Sequence, residues 1–191
     1  AIAQLRQETP RSANQLLHQV VLNLINPVDE PNLLVGEHYN EETALSQYEQ
    51  LNDYSSICKL YVQKLILAYL FGNYQQAVIY SDRALAYLSS LSSDPVSSLF
   101  YFYDSLARLA AYFGGSKQEQ SRILETIAAN QAKLSHWANF APMNYQHKFE
   151  LVEAERYRVL DQKLEAIELY DRAIATAQKH GYLHEAAIAN E

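Results

Sequence analysis

The sequence predicts an all-α protein arranged as an array of helix pairs, and three observations predict it. Two stretches, YLFGNYQQAVIYSDRAL (69–85) and YRVLDQKLEAIELYDRAI (157–174), share one pattern: a helix, a short turn, then alanines seven apart on a second helix. In the first, Gly72 and Tyr74 mark the turn while Ala77 and Ala84 share a face of the following helix. In the second, Ala166 and Ala173 play that part, with Tyr170 between them and Ala154 and Tyr157 on the helix before. Small side chains at this spacing let two helices approach closely. The second observation is compositional: five glycines, five prolines and 49% hydrophobic residues, with no apolar/polar alternation at strand spacing. The third is that glycines sit where helices should end, so little or no strand is expected.

Taken in order, the first helix is expected from about Pro10 to Ile25, with Leu16, Leu17, Val20, Val21 and Leu24 as its apolar face. Asn26 and Pro27 stop it. The segment PVDEPNLLVGEHYN (27–40) carries Pro27, Pro31 and Gly36 and reads as a packed loop. Asn40 then caps a short helix whose first turn places Glu41 and Glu42 at the positive end of the dipole, and which ends near Asn52 or Asp53. A repeat-like pair follows, Ser55 to Leu70 and Tyr74 to Ser90. Asp94 as a cap and Pro95 in a first turn restart the chain, and that helix runs to Phe113 before Gly114 and Gly115. Ser116 and Glu119 form a capping box, so the next helix covers Lys117 to about Phe140. Pro142 opens another, ending near Leu160. Its partner spans Gln162 to Lys179, with Gly181 as the stop.

At 191 residues the soft prior is one domain. Its parts are an N-terminal helical cap and loop (1–54), a first pair (55–93), a long irregular pair (94–140), a second clear repeat (142–180) and the start of a further helix (183–191). The helix-turn-helix units resemble the tetratricopeptide pattern of about 34 residues, whose members must stack to bury their apolar faces. Ala77 and Ala166 are 166 − 77 = 89 residues apart, more than two such periods. The expected array is therefore irregular, about three helix pairs with an extra N-terminal cap, right-handed in its superhelical sense if it follows other stacks of this kind. The chain opens at Ala1 and closes within LHEAAIANE, which leads us to expect a piece of a longer polypeptide, since so short a helix is marginal alone.

Twenty-two acids against fifteen bases give a net charge of −7 with no basic cluster, which argues against nucleic acid and anionic membrane as partners. The longest apolar run, Leu99 to Phe113, is broken by Asp104 and Arg108, a pair four apart that can bridge on a helix, so it reads as a buried helix rather than a membrane span. Cys58 has no cysteine to pair with in the chain and no signal peptide opens it, which suggests a reducing cytoplasm, with Cys58 a small buried hydrophobe.

There is no GxxxxGK[ST], GxGxxG or HExxH motif, so no catalytic residue, cofactor or metal is expected. His180 and His184 are four apart, but Gly181 between them should end a helix, so they need not share a face as metal ligands. Glu153 and Glu155, two apart, point to different faces and read as solvated surface. The aromatic run Phe100, Tyr101, Phe102, Tyr103 reads first as core, with Tyr101 and Tyr103 as the candidate ligand-stacking groove, because tyrosines offer apolar bodies with polar tips.

The phrases LVGEHYNEE (34–42), FYDSLARLA (102–110), HWANFAPMNYQHKFELVEAERYRVL (136–160) and YDRAI (170–174) resemble the helical, tetratricopeptide-like region of very large bacterial multi-sensor signalling kinases, over nearly the whole chain. In that family such a region follows a serine/threonine kinase domain and an AAA-like ATPase and precedes GAF or PAS modules and a histidine kinase. The resemblance implies a non-catalytic connector and protein-interaction surface, with neighbouring domains or a signalling partner as its protein partners. The peptide clamp of co-chaperones would need Lys, Arg or Asn where this chain has Val62, Ile66, Leu151 and Glu155. The other expectation is a sensor that binds a small molecule in a tyrosine-lined groove.

Overall fold

A computed structural model describes residues 2–26, 30–92 and 94–191, with side chains from Ser12 onward. Among the described residues it is all-helical: α1 (Ile2–Ile25), α2 (Glu41–Leu51), α3 (Tyr54–Leu70), α4 (Tyr74–Leu85), α5 (Val96–Ala110), α6 (Lys117–Phe140), α7 (Pro142–Val159), α8 (Lys163–Lys179) and α9 (Leu183–Asn190). Short 3-10 turns lie at Leu88–Leu91 and Tyr112–Gly114, and the β structure is one isolated bridge between Val35 and Asn40. The helices pack on their chain neighbours, α3 on α4 and α6 on α7 on α8 on α9. The chain divides into two compact units, Ala1–Phe100 and Tyr101–Glu191.

The joints repeat more closely than the sequence pattern foretold. Asn52 (φ 53), Gly72 (φ 74), Asp161 (φ 59) and Gly181 (φ 81) each take the left-handed conformation just after a helix. The residue that follows sends its N–H back five positions: Asp53 to the Tyr48 carbonyl at 2.9 Å, Asn73 to Ala68 at 2.8 Å, Gln162 to Tyr157 at 3.0 Å and Tyr182 to Ala177 at 2.9 Å. This closes orphan carbonyls at each helix end, the Schellman arrangement. The left-handed residues are spaced 72 − 52 = 20 and 181 − 161 = 20. Five positions after each comes a buried residue: Ile57, Ala77, Ala166 and Ala186. Two like double turns thus set α2–α3–α4 and α7–α8–α9. Space is open around a Cβ at Gly72 and Gly181, so only backbone strain opposes a side chain there. Gly72→Ala and Gly181→Ala are each expected to cost about 1 kcal/mol, and Asn52→Gly to be neutral or better, in urea denaturation.

Several expectations shift. Helix α1 begins at Ile2, upstream of Pro10, because IAQLRQET is rich in strong helix formers. Its inward face is Leu16, Gln19, Val20 and Asn23, while Leu17, Val21 and Leu24 are exposed. The reason is the loop after it: Asn23 Nδ2 donates to the carbonyls of Pro31 and Leu33, both at 2.9 Å, and Gln19 donates to Asn23 Oδ1 at 2.8 Å. The expected stop at Pro27 lies outside the described residues. Helix α4 ends at Leu85 rather than Ser90, where serines turn to the backbone, Ser90 Oγ donating to the Tyr87 carbonyl at 2.6 Å. Helix α5 ends at Ala110, and a 3-10 turn takes the chain on to Gly114. The caps at Asn40 and the Ser116–Glu119 box form as read.

In the first unit Leu16, Val20, Leu34, Tyr39, Leu60 and Leu67 form one core cluster. Helix α3 is buried on most sides, which makes it the floor on which α2, α4 and the 30–36 loop are laid out. Cys58 donates its Sγ–H to the Ala84 carbonyl at 3.4 Å, marking the close α3–α4 crossing, and burial pushes its thiol up to about 12. In the second unit Ala154, Ala166 and Ala173 are buried at the α7–α8 crossing.

Candidate functional site

Two buried lysines show what the array does with charge. Lys148 on α7 is 4% exposed and spends all three of its N–H donors: on Glu185 Oε1 at 2.9 Å, on His147 Nε2 at 3.0 Å and on the Asn144 carbonyl at 3.3 Å. The Tyr182 ring lies over it, 4.4 Å from Nζ, and stacks on His147 at 4.4 Å. Because Nε2 accepts from Lys148, the His147 proton belongs on Nδ1. His184 Nε2 stands 2.9 Å from the second Glu185 oxygen. Burial opposes the charge on Glu185, but the charge and hydrogen bond of Lys148 outweigh it and hold the carboxyl down at about 2. Burial, helped by the Lys148 charge, keeps His147 below its ordinary range, and burial also lowers Lys148. This cluster ties α9 to α7 and fills every donor of Lys148, while His147 Nδ1 and Glu185 Oε2 find no hydrogen-bond partner among the described residues.

Lys64 on α3 is 5% exposed, and its one acceptor among the described residues is Glu41 Oε1. The Tyr80 ring lies 4.8 Å from its Nζ. Glu41 is fully engaged, since its other oxygen accepts the Leu34 N–H at 2.7 Å and so fastens the loop to α2. Lys64 lines two adjoining hollows of the first unit that share Glu41, Lys64, Gln76 and Tyr80. One, of about 490 Å³, reaches under the loop at Glu30, Asn32 and Leu33 towards Phe71 and Asn73. The other, of about 270 Å³, runs past Glu42 and Leu60 to Tyr61 and Arg83, whose guanidinium sits 5.6 Å over the Tyr61 ring. Together they form one trough with α3 as floor.

The sequence-derived candidates lie elsewhere. Tyr101 is half-buried, its ring 5.8 Å from Trp137 and 5.3 Å from Lys133 Nζ. Tyr103 is 2% exposed and edge-on to Phe102 at 5.0 Å, and burial pushes its phenol well above the ordinary range. Ala77, Ala84, Ala154, Ala166 and Ala173 are all buried, as packing positions should be. Tyr74 is exposed and meets Tyr69 at 5.7 Å, Tyr157 lies under the Arg156 guanidinium at 4.8 Å, and Tyr170 gives its hydroxyl proton to Glu155.

Glu153 and Glu155 are not solvated surface. Glu153 takes Gln131 at 2.7 Å and Arg156 at 2.5 Å, while Glu155 takes Arg158 at 2.6 Å together with Tyr170. Long neighbours three residues away fold over both carboxylates, a possibility that the spacing of the two acids from each other could not reveal. Asp104 and Arg108 pair at 2.7 Å as read, and Asn130 on α6 donates to Asp104 at 2.7 Å. Of the clamp positions, Val62 and Leu151 are buried. His180 and His184 belong to no group of metal-holding residues among the described ones. No described helix is long and apolar enough to cross a membrane.

The Lys64 trough escaped sequence reading because its parts come from three helices and a loop, with Glu41 and Lys64 64 − 41 = 23 residues apart. A signal was nonetheless there: Lys64 stands inside YVQKLILAYL, a helix otherwise apolar on most sides, where a charge must find a partner. No family model matches the chain, and no curated protein or solved structure does.

Proposed function

We propose that this chain is a non-catalytic helical-repeat connector: a cytoplasmic protein-interaction module of a multidomain signalling kinase that relays the state of a neighbouring ATPase or kinase domain. The observation that carries this reading is the trough of the first unit, a polar-lined concavity laid along α3 and α4 with the buried α3 as its floor. Support also comes from the buried ionic cluster of the second unit, where Lys148 spends its donors within the protein and the Lys148–Glu185 pair holds α7 and α9 together. The relay would work by differential contact, a surface of the trough engaging one state of the neighbour better than the other. In the native polypeptide, Tyr80→Ala and Arg83→Glu are expected to change nucleotide turnover about fivefold or more, the ordinary scale of such coupling. Unchanged turnover across both variants contradicts the relay.

A second reading, a small-molecule sensor, draws on one specific observation. Two tyrosines, Tyr61 and Tyr80, line the trough, giving a tyrosine-lined groove at a different place from Tyr101 and Tyr103. A ligand that binds only the folded state must raise the melting midpoint. Screening single metabolites by thermal shift separates this reading from the first.

A further inference from the structure

Building on the interaction reading, we propose that the trough of the first unit binds an extended peptide segment in mid-chain and that Lys64 donates to one of its backbone carbonyls. The contrast between the two buried lysines points here. Lys148 has its three donors filled by protein acceptors, whereas Lys64, equally buried, fills one and lines both hollows of the trough. The remaining Lys64 donors are open to an acceptor seated in the hollows that it lines.

Charge decides what kind of acceptor. Glu41 already neutralises Lys64 and engages both its oxygens, and Glu42 and Arg83 both line the second hollow while Glu30 lines the first, so the trough carries three acids and two bases. A carboxylate entering beside Glu41 would meet like charge. A neutral carbonyl satisfies the Lys64 N–H groups without that cost. The half-buried Asn32 and Gln76 line the same hollow, and neither side-chain amide has a partner among the described residues, so each can meet a peptide N–H or C=O.

Shape decides the rest. Asn73, Gln76, Tyr80 and Arg83 line the trough along one face of α4, and ten residues at a helical rise of about 1.5 Å make it about 15 Å long. That accommodates about four to five residues of extended chain at about 3.3 Å each. Small-ligand pockets enclose their guest in mostly apolar walls, and this trough is lined largely by polar and charged side chains.

The test screens the 191-residue protein against a random library of eight-residue peptides with acetylated N-termini and amidated C-termini, so that only mid-chain recognition is read. Lys64→Met is compared with the parent, together with Lys64→Met/Glu41→Gln, which removes both charges and leaves no orphan carboxylate; melting curves verify that both fold. Selected peptides are expected to bind the parent and to weaken about tenfold or more in both variants, the scale of a hydrogen bond to a charged donor. No enrichment over the double variant, or equal binding by all three proteins, overturns the proposal. A melting shift with single metabolites, lost in the double variant and absent with peptides, also overturns it and gives the trough to a small ligand. The turnover assay with Tyr80→Ala and Arg83→Glu reports separately on the connector: altered turnover without peptide binding removes only the Lys64 proposal, and peptide binding with unaltered turnover removes only the connector.

Discussion

Glu185→Ala is expected to destabilise the protein by about 3–5 kcal/mol, because it leaves Lys148 charged, buried and without its carboxylate. Lys148→Ala should cost a similar amount by stranding Glu185. The double replacement Lys148→Met/Glu185→Leu should recover most of the loss, since removing both charges removes the desolvation cost along with the attraction. Denaturant midpoints of the three variants against the parent give these numbers, and single variants that unfold like the parent would mean α9 is not held by this pair. The same cluster sets an acid dependence. Glu185 is held down at about 2 in the folded protein, so its contribution is present above the ordinary carboxylate range and is lost as pH falls from about 4.5 towards 2. His147 is also depressed, so the unfolded chain binds its proton first and stability starts to fall as pH drops below about 6.5. Both effects run the same way. Glu185→Gln should flatten the lower part of the acid profile and leave the upper part.

Ala77→Leu and Ala166→Leu are each expected to cost about 1–3 kcal/mol, because both alanines are buried where two helices cross closely and extra methyl groups have no room. Ala175→Leu on the exposed side of α8 is the control and should stay within about 0.5 kcal/mol. Melting curves that do not separate Ala166 from Ala175 would place the crossing elsewhere.

What the sequence could disclose was local. Asn40, the Ser116–Glu119 box, Pro142, Gly72 and Gly181 act within a turn of their own position, and the alanines at 77, 84, 166 and 173 mark a face by period alone. Asn52 and Asp161 could have been read in the same way, as the side chains besides glycine that best tolerate the left-handed conformation, and with them the repeated spacing of the joints. The inward face of α1 could not be read, because it is settled by a loop that offers carbonyls to Gln19 and Asn23, so that polar residues are buried while Leu17 and Val21 face out. The two buried lysines pair across 64 − 41 = 23 and 185 − 148 = 37 residues, and periodicity says nothing of such distances. A charge on an apolar helix face announces that a partner exists without saying which.

The connector reading rests on this array working inside a larger signalling polypeptide, and the direct test is the size of that polypeptide in cells. An antibody raised against the chain, used on extracts of the source cells, should detect a band far above 21.8 kDa. A band at about that mass would contradict the connector and leave a free-standing binding protein.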